Sequence, residues 1–311
     1  MKSVRFSVFS DLHYRDGNWN QASERLDSIQ KRAAENKVDF VIHCGDFCHN
    51  VVTGKEIIDR YNHFSIPSYH TIGNHDFEQT DGLEIVCRAF GMKNSYYSFD
   101  VNSFRIISLD TNFYRSADGT PLHYASGDSY AKCHQEELYV PPQELDFLRE
   151  AIETAEGPCL LFSHGSFVRP DGVANSEEIL SILRDSRHRT GRVLMCINGH
   201  HHRNNLRILD NIAFFELNST TSDWINHPHH SYPPELMAKY ENSDHELLFT
   251  DPVHAIVTVT EDGEIRIEGM KGSMYLGITR EMTGNTVYDR AGLPCDPSVL
   301  SAHFKLFDDS F

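Results

Sequence analysis

Short apolar runs recur along this chain, and several stop abruptly at a small polar cluster. VRFSVFS runs into Asp11-Leu12-His13, VDFVIHC into Gly45-Asp46, and PSYHTI into Gly73-Asn74-His75-Asp76. Further on, CLLFS runs into His164, and VLMCIN into Gly199-His200-His201-His202. The runs have strand length and are rich in Val, Ile and Phe, which predicts buried strands. Between the first two, Leu26, Ile29 and Ala33 recur at helical spacing within 19–36. A second helical stretch over 54–64 precedes the predicted strand 67–72. Strand–helix–strand alternation implies parallel strands joined by right-handed crossovers. Ligands bind such a sheet beyond the carboxyl ends of its strands. The five clusters are therefore expected to meet on one edge of one sheet.

The remaining pattern is more mixed. Segments 96–100 and 104–110 flank Val101-Asn102-Ser103 and predict a hairpin. Residues 112–140 show little apolar periodicity and read as an irregular loop. Pro141-Pro142 opens the helix PPQELDFLREAIETAE, and Gly157-Pro158 closes it, with proline where a helix start tolerates it. A helix over 176–187 follows. After His202 the pattern turns antiparallel. Segments 206–209 and 212–217 face each other across Asp210-Asn211, and 255–260 and 264–268 across Asp262-Gly263. Both pairs are hairpin signals and predict a second sheet packed on the first. Residues 219–252, with Trp224, His227, His229 and His230, read as a long loop insertion, too long for a plain connector. The organisation expected is one domain over 1–279, followed by a tail, 280–311, that wraps the body or a partner subunit and offers a route to a homo-oligomer.

Charge narrows the partners. The chain has 311 residues with 28 basic and 45 acidic side chains, a net charge of −17. That argues against a nucleic-acid surface, which needs clustered Lys and Arg. A small anion is still admissible if divalent cations make the pocket locally positive. Cysteine is used seven times, an odd number, and Cys44, Cys159 and Cys196 lie inside apolar runs. They read as buried thiols of a reducing compartment. Cys44 and Cys48 have no second pair at zinc-site spacing. MKSVRFSVFS lacks the apolar core of a secretory leader, and no run approaches the ~18 apolar residues of a membrane span. A cytoplasmic protein without a membrane anchor is expected.

The polar clusters offer carboxylate, imidazole and amide donors and no thiolate, a set suited to Mn, Fe or Zn. Their order, D-x-H, G-D, G-N-H-D, H, G-H-x-H over residues 11–202, resembles the calcineurin-like metallophosphoesterases. The resemblance implies an α/β fold, a four-layer α/β/β/α sandwich of two mixed sheets flanked by helices. It implies two metal ions, one held by Asp11, His13, Asp46 and His202, the other by Asp46, Asn74, His164 and His200, with Asp46 bridging. His75 is then the group that protonates the leaving alkoxide or stabilises phosphoryl charge, oriented by Asp76. The motif details look most like the bacterial cyclic-nucleotide-type (class III) phosphodiesterases. The function expected is thus a dinuclear phosphodiesterase acting on a small nucleotide or similar ester. A phosphomonoesterase or nucleotide pyrophosphatase is the alternative, ahead of a non-catalytic scaffold or a nuclease. His49 and Asn50 follow Asp46 closely and are candidates to touch substrate, as is Trp224 at the pocket rim. His43 and His70 are expected in the core, and His201 to point away from its ligating neighbours. His227, His229 and His230 are expected on a solvated loop rather than on a third metal, and Asp110-Thr111-Asn112 at a strand-to-loop turn.

Overall fold

The computed structural model describes residues 2–15, 20–80, 82–126, 138–240 and 242–306. The chain opens with three parallel strands, β1 (Ser3–Phe9), β2 (Phe40–Cys44) and β3 (Ser68–Thr71), linked by helices α1 (Ala22–Glu35) and α2 (Lys55–Asn62). Strand periodicity sorts the side chains to opposite faces. Val4, Phe6, Val8, Phe40 and Ile42 face a core between two sheets, while Phe9 and Val41 face the helices. Leu26, Ile29 and Ala33 form the buried stripe of α1, as their spacing predicts.

A short helix α3 (Leu83–Ala89), absent from the pattern reading, leads to the hairpin β4 (Tyr97–Val101) and β5 (Phe104–Ser108). Its turn residues Asn102 and Ser103 both take positive φ, 49° and 73°, matching the right-handed twist of the strands. This hairpin starts a second sheet. Strands β8 (Cys159–Ser163) and β9 (Val193–Asn198) join β5 in parallel, with α4 (Pro142–Glu153) and α5 (Ser176–Thr190) between them in sequence. The five polar clusters therefore do not lie on one sheet. Asp11, Asp46 and Asn74 follow strands of the first, and His164, His200 and His202 follow strands of the second. Fully buried runs such as CLLFS and VDFVIHC read alike in either sheet, so periodicity alone cannot assign them.

The antiparallel strands also fall differently from expectation. They form no separate sheet but extend both existing ones. Strands β10 (Asn205–Leu209) and β11 (Ile212–Glu216) extend the second, and β14 (Ala255–Thr260) and β15 (Glu264–Glu268) the first. The stretch 112–140 is not wholly irregular, because β6 (Phe113–Arg115) pairs with β7 (Pro121–His123); residues 127–137 lie outside the described residues. Nor is 219–252 a plain loop. Strands β12 (Ser222–Trp224) and β13 (Glu246–Leu248) pair, and helix α6 (Pro234–Lys239) lies between them in sequence. Ile225, Tyr232, Leu247 and Leu248 form a small core there with Ile278. Beyond Arg280 the chain runs along the body, and β16 (Ala302–Lys305) pairs with β15 at the edge of the first sheet. The sheet orders are β16-β15-β14-β1-β2-β3 and β10-β11-β9-β8-β5-β4, two mixed sheets flanked by helices.

The sheets are held face to face by aromatic packing. Phe6 stacks on Phe40 at 5.1 Å and meets Phe162 of the other sheet edge-on at 5.5 Å. Replacing Phe6 by Ala is expected to lower unfolding free energy by about 3–5 kcal/mol, the cost of an unfilled aromatic site. Urea unfolding of the two proteins checks this. A loss under about 1 kcal/mol would show that this layer does not hold the sheets together.

Candidate metal centre

Each donor cluster begins where a strand ends, and in three of the five the backbone there is unusual. Asp11 (φ 54°), His13 (48°), Asp46 (52°), His200 (73°) and His202 (52°) all sit in the left-handed region. For a residue with a Cβ that conformation costs roughly 1–2 kcal/mol, and it persists where the surroundings enforce it. It swings successive side chains out of the strand direction into one shared space. Glycine supplies the clearance. Gly45 has φ +91°, and a Cβ on it would stand 2.3 Å from His164 Nδ1. A Cβ on Gly199 would stand 1.8 Å from Ser10 Oγ and 2.5 Å from an Asp11 carboxylate oxygen.

Two groups of donors result. In the first, His13 Nε2 lies 3.0 Å from His202 Nε2 and 3.8 Å from Asp11 Oδ1. His202 Nε2 is 3.4 Å from the same Asp11 oxygen. In the second, His164 Nε2 lies 3.0 Å from His200 Nδ1, 3.0 Å from Asn74 Oδ1 and 3.1 Å from Asp46 Oδ2. Asp46 Oδ2 is also 3.7 Å from His13 Nε2, so a single oxygen stands between the groups. Donors bound to one ion at 2.0–2.2 Å are separated by roughly 3.0–3.5 Å; most of these spacings fall in that range, with His13–Asp11 and His13–Asp46 wider at 3.8 and 3.7 Å. The donor chemistry fits as well. His164 Nδ1 donates to the Cys44 carbonyl at 2.7 Å, which commits Nε2 to the ligand side. Burial pushes the pKa of His13 and His200 well below the ordinary value, so both rings are neutral, as ligands must be. His164 differs. Burial lowers its pKa, but the Asp46 carboxylate outweighs burial and raises it to about 9.

His75 stands beside this centre. Its N–H donates to Asp46 Oδ1 at 2.8 Å. Burial would discharge its ring, yet Asp46 and Glu78 together hold its pKa above the ordinary value; cations in the donor groups act against that. Asp76 does not orient His75 as expected. Its Oδ1 accepts the N–H groups of Phe47 and Cys48 at 2.9 and 3.0 Å, and its Oδ2 accepts that of Gly73 at 2.8 Å. It fastens the Gly45-Asp46 turn to the Gly73–Asp76 turn. The carboxylate on the His75 ring is Glu78, 2.7 Å from Nδ1. It lies one short turn along the chain, and its i+3 spacing was the available signal.

His49 and Asn50, expected to touch substrate, are each engaged by protein groups. His49 is 3% exposed, with Nε2 2.9 Å from His13 Nδ1. Asn50 Oδ1 accepts the N–H groups of Val52 and Thr53 at 2.9 and 3.2 Å and caps the turn leading to α2. Trp224 reaches the centre, with its ring centroid 5.8 Å from that of His13 and 6.2 Å from that of His75. The Arg15 guanidinium covers Trp224 at 5.2 Å and pairs with Glu246 at 2.8 Å. No motif marks Arg15 or Glu246, which meet only through β12 and β13. His43 and His70 are core residues bonded to each other at 2.7 Å. His201 Nε2 faces the Asp171 carbonyl, and His229 Nε2 the Glu246 carbonyl. Asp110 Oδ1 accepts the Asn112 N–H at 3.0 Å in a local turn.

Residues 4–204 match the family model described as calcineurin-like phosphoesterase. The chain belongs to that family. Comparison with curated proteins found no match. Among solved structures, a dimetal phosphatase from Danio rerio superposes with a TM-score of 0.57 at 15% identity, over 87% of this chain and 98% of that one. GAP50, the anchor in the inner membrane complex of Plasmodium, superposes with a TM-score of 0.56 at 13% identity, over 100% and 91% of the two chains. These likenesses show a shared fold.

As a calcineurin-like phosphoesterase, the chain is a phosphoester hydrolase whose His and Asp groups are able to bind metal. The charge on His164 has a measurable consequence. With its pKa raised to about 9, His164 holds a proton at neutral pH in the metal-free protein, and a metal ion taken by Nε2 would have to displace it. Manganese binding at pH 8 is expected to release about one proton per chain, declining as pH rises through that pKa. Calorimetric titration in two buffers of different ionisation enthalpy measures the release. Identical heats in both buffers would remove His164 from the ligand set.

Proposed function

We propose that the chain holds two metal ions and acts as a phosphodiesterase on a small nucleotide or similar soluble ester. The observation that carries this reading is the Asp46 Oδ2 atom, 3.1 Å from His164 Nε2 and 3.7 Å from His13 Nε2. One carboxylate oxygen shared by two donor groups suits a bridge between two cations. In this reading Asp11, His13, Asp46 and His202 hold one ion, and Asp46, Asn74, His164 and His200 the other, as Mn, Fe or Zn. When bound, the ions polarise the phosphoryl oxygens and activate the attacking water. The protein's own part is positional and protonic. His75 holds a proton for the leaving oxygen, its charge supported by Asp46 and Glu78. Trp224 offers a flat face on which a base can stack, and Arg15 holds the indole in place from above.

A binding scaffold on the same fold is the rival reading, since GAP50 is described as an anchor. A scaffold has no need of the donors, whereas all seven are present here. The net charge of −17 disfavours a nuclease. Six buried free cysteines among the described residues support a reducing compartment, the cytoplasm. No helix among the described residues is long and apolar enough to cross a membrane.

The test is a substrate panel with manganese-loaded protein: a bis-aryl phosphodiester, an aryl phosphomonoester, 3′,5′-cyclic AMP and ADP-ribose. The diesters are expected to turn over fastest, and a preference for the monoester would overturn the diesterase reading. Elemental analysis should find two ions per chain in the wild type and at most one in Asp46→Asn. His75→Ala should keep both ions and lose roughly 10²–10⁴-fold in turnover, as on removal of a general acid. That loss should shrink for phenolic leaving groups, which depart without a proton. Trp224→Ala should lower the rate on cyclic AMP relative to the bis-aryl ester by about 10-fold, within the range for one lost stacking contact. An unchanged ratio in metal-replete protein would take Trp224 out of the pocket.

A further inference from the structure

Glu78 lies outside every motif and touches two histidines at once. Its Oε2 is 2.7 Å from His75 Nδ1 and also bonds His49 Nδ1. His49 in turn places Nε2 at 2.9 Å from His13 Nδ1, and Arg15 Nε approaches the same nitrogen at 3.4 Å. An ionised carboxylate only accepts hydrogen bonds. Glu78 is ionised, because the bonds from His49 and His75 outweigh its burial and hold its pKa well below the carboxylate range. Both facing nitrogens must therefore carry the proton. Arg15 Nε, which can only donate, faces His49 Nε2 at 3.4 Å, so that nitrogen is the acceptor and the His49 proton sits on Nδ1. Bare Nε2 must accept from His13, which puts the His13 proton on Nδ1. His13 Nε2 is then a lone pair, and it faces Asp11 and His202.

We infer that Glu78 is the positioning residue that fixes a proton on Nδ1 of His75 and of His49 and, through His49, sets the ligand face of His13. One carboxylate thus ties the grip on one metal ion to the aim of the proton donor. The 2.7 Å separation between Glu78 Oε2 and His75 Nδ1 is a hydrogen bond, shorter than the roughly 3.0 Å between two donors on one ion. The inference rests on the proposed roles of His13 and His75, but the tautomer pattern does not depend on them.

The test uses long-range proton–nitrogen spectra of histidine side chains, assigned by single histidine replacements, in metal-free and zinc-loaded protein. The wild type is expected to show His75, His49 and His13 protonated on Nδ1. In Glu78→Ala, His75 should lose the downfield Nδ1–H signal of its carboxylate bond, His49 should shift toward the Nε2-protonated form that neutral imidazole favours in water, and His13 should lose its preference. Manganese titration of that variant should show one of two ions bound about 10–100-fold more weakly, the usual effect of removing a partner behind a ligand, with the other little changed. Turnover of 3′,5′-cyclic AMP, whose leaving oxygen needs a proton, should fall while KM stays near that of the wild type. His49→Phe separates the two arms: it should loosen the same ion and leave His75 protonated on Nδ1. Unchanged tautomers in folded Glu78→Ala, or equal weakening of both ions, would overturn the inference. Failure of the two-ion reading would appear instead as a wild type that binds fewer than two ions, with the tautomer shift in metal-free protein still observable.

Discussion

Asp46 is a buried carboxylate at the junction of two sheets, and the site is organised around its charge. A lone carboxylate in such a place is costly, and proteins retain one only with partners on every side. Those partners come from separate parts of the fold. The His75 N–H arrives from the turn after β3, His164 from the end of β8 in the opposite sheet, and His13 from the end of β1. The charge is thus satisfied only when the sheets are packed in register. The packing of Phe6 and Phe40 against Phe162 sets that register. An apolar contact thereby decides the distance between polar groups well beyond it.

The left-handed turns store strain against this packing. Asp11, His13, Asp46, His200 and His202 are each held in a conformation their side chains disfavour. Polar residues behind them keep the turns in place. Asp76 ties the Gly45-Asp46 turn to the Gly73–Asp76 turn through three backbone N–H groups. His43 accepts the Gly45 N–H and bonds His70, which passes the chain of bonds to Asn62 on α2. Replacing such residues would loosen the turns that carry the donors without touching a donor. The rim is braced in the same way. Asp223 on β12 pairs with Arg203, next to His202, and with Arg280 where the tail begins. Asp289 of the tail meets Arg169 and Arg203. The tail and the β12–β13 unit thus support the wall that carries Trp224.

The sequence was most informative about local chemistry. Apolar runs closed by Asp, His, Asn and Gly located the donors, because a strand end beside a glycine is a local event and the donor types are few. Helix stripes such as Leu26, Ile29 and Ala33, and hairpins such as that around Asn102-Ser103, are local for the same reason. Asp46 in G-D and His75 in G-N-H-D come from turns distant in sequence and meet in one hydrogen bond. Tertiary structure decided what depends on long-range pairing. It put CLLFS and VLMCIN in a second sheet, since a strand buried on both faces carries no mark of its neighbours. It turned 219–252 into a paired unit that brings Trp224 and Glu246 to Arg15, residues joined by no sequence spacing. And it replaced Asp76 by Glu78 as the partner of His75, because the reach of a carboxylate is set by the direction of its turn, which composition and order do not encode.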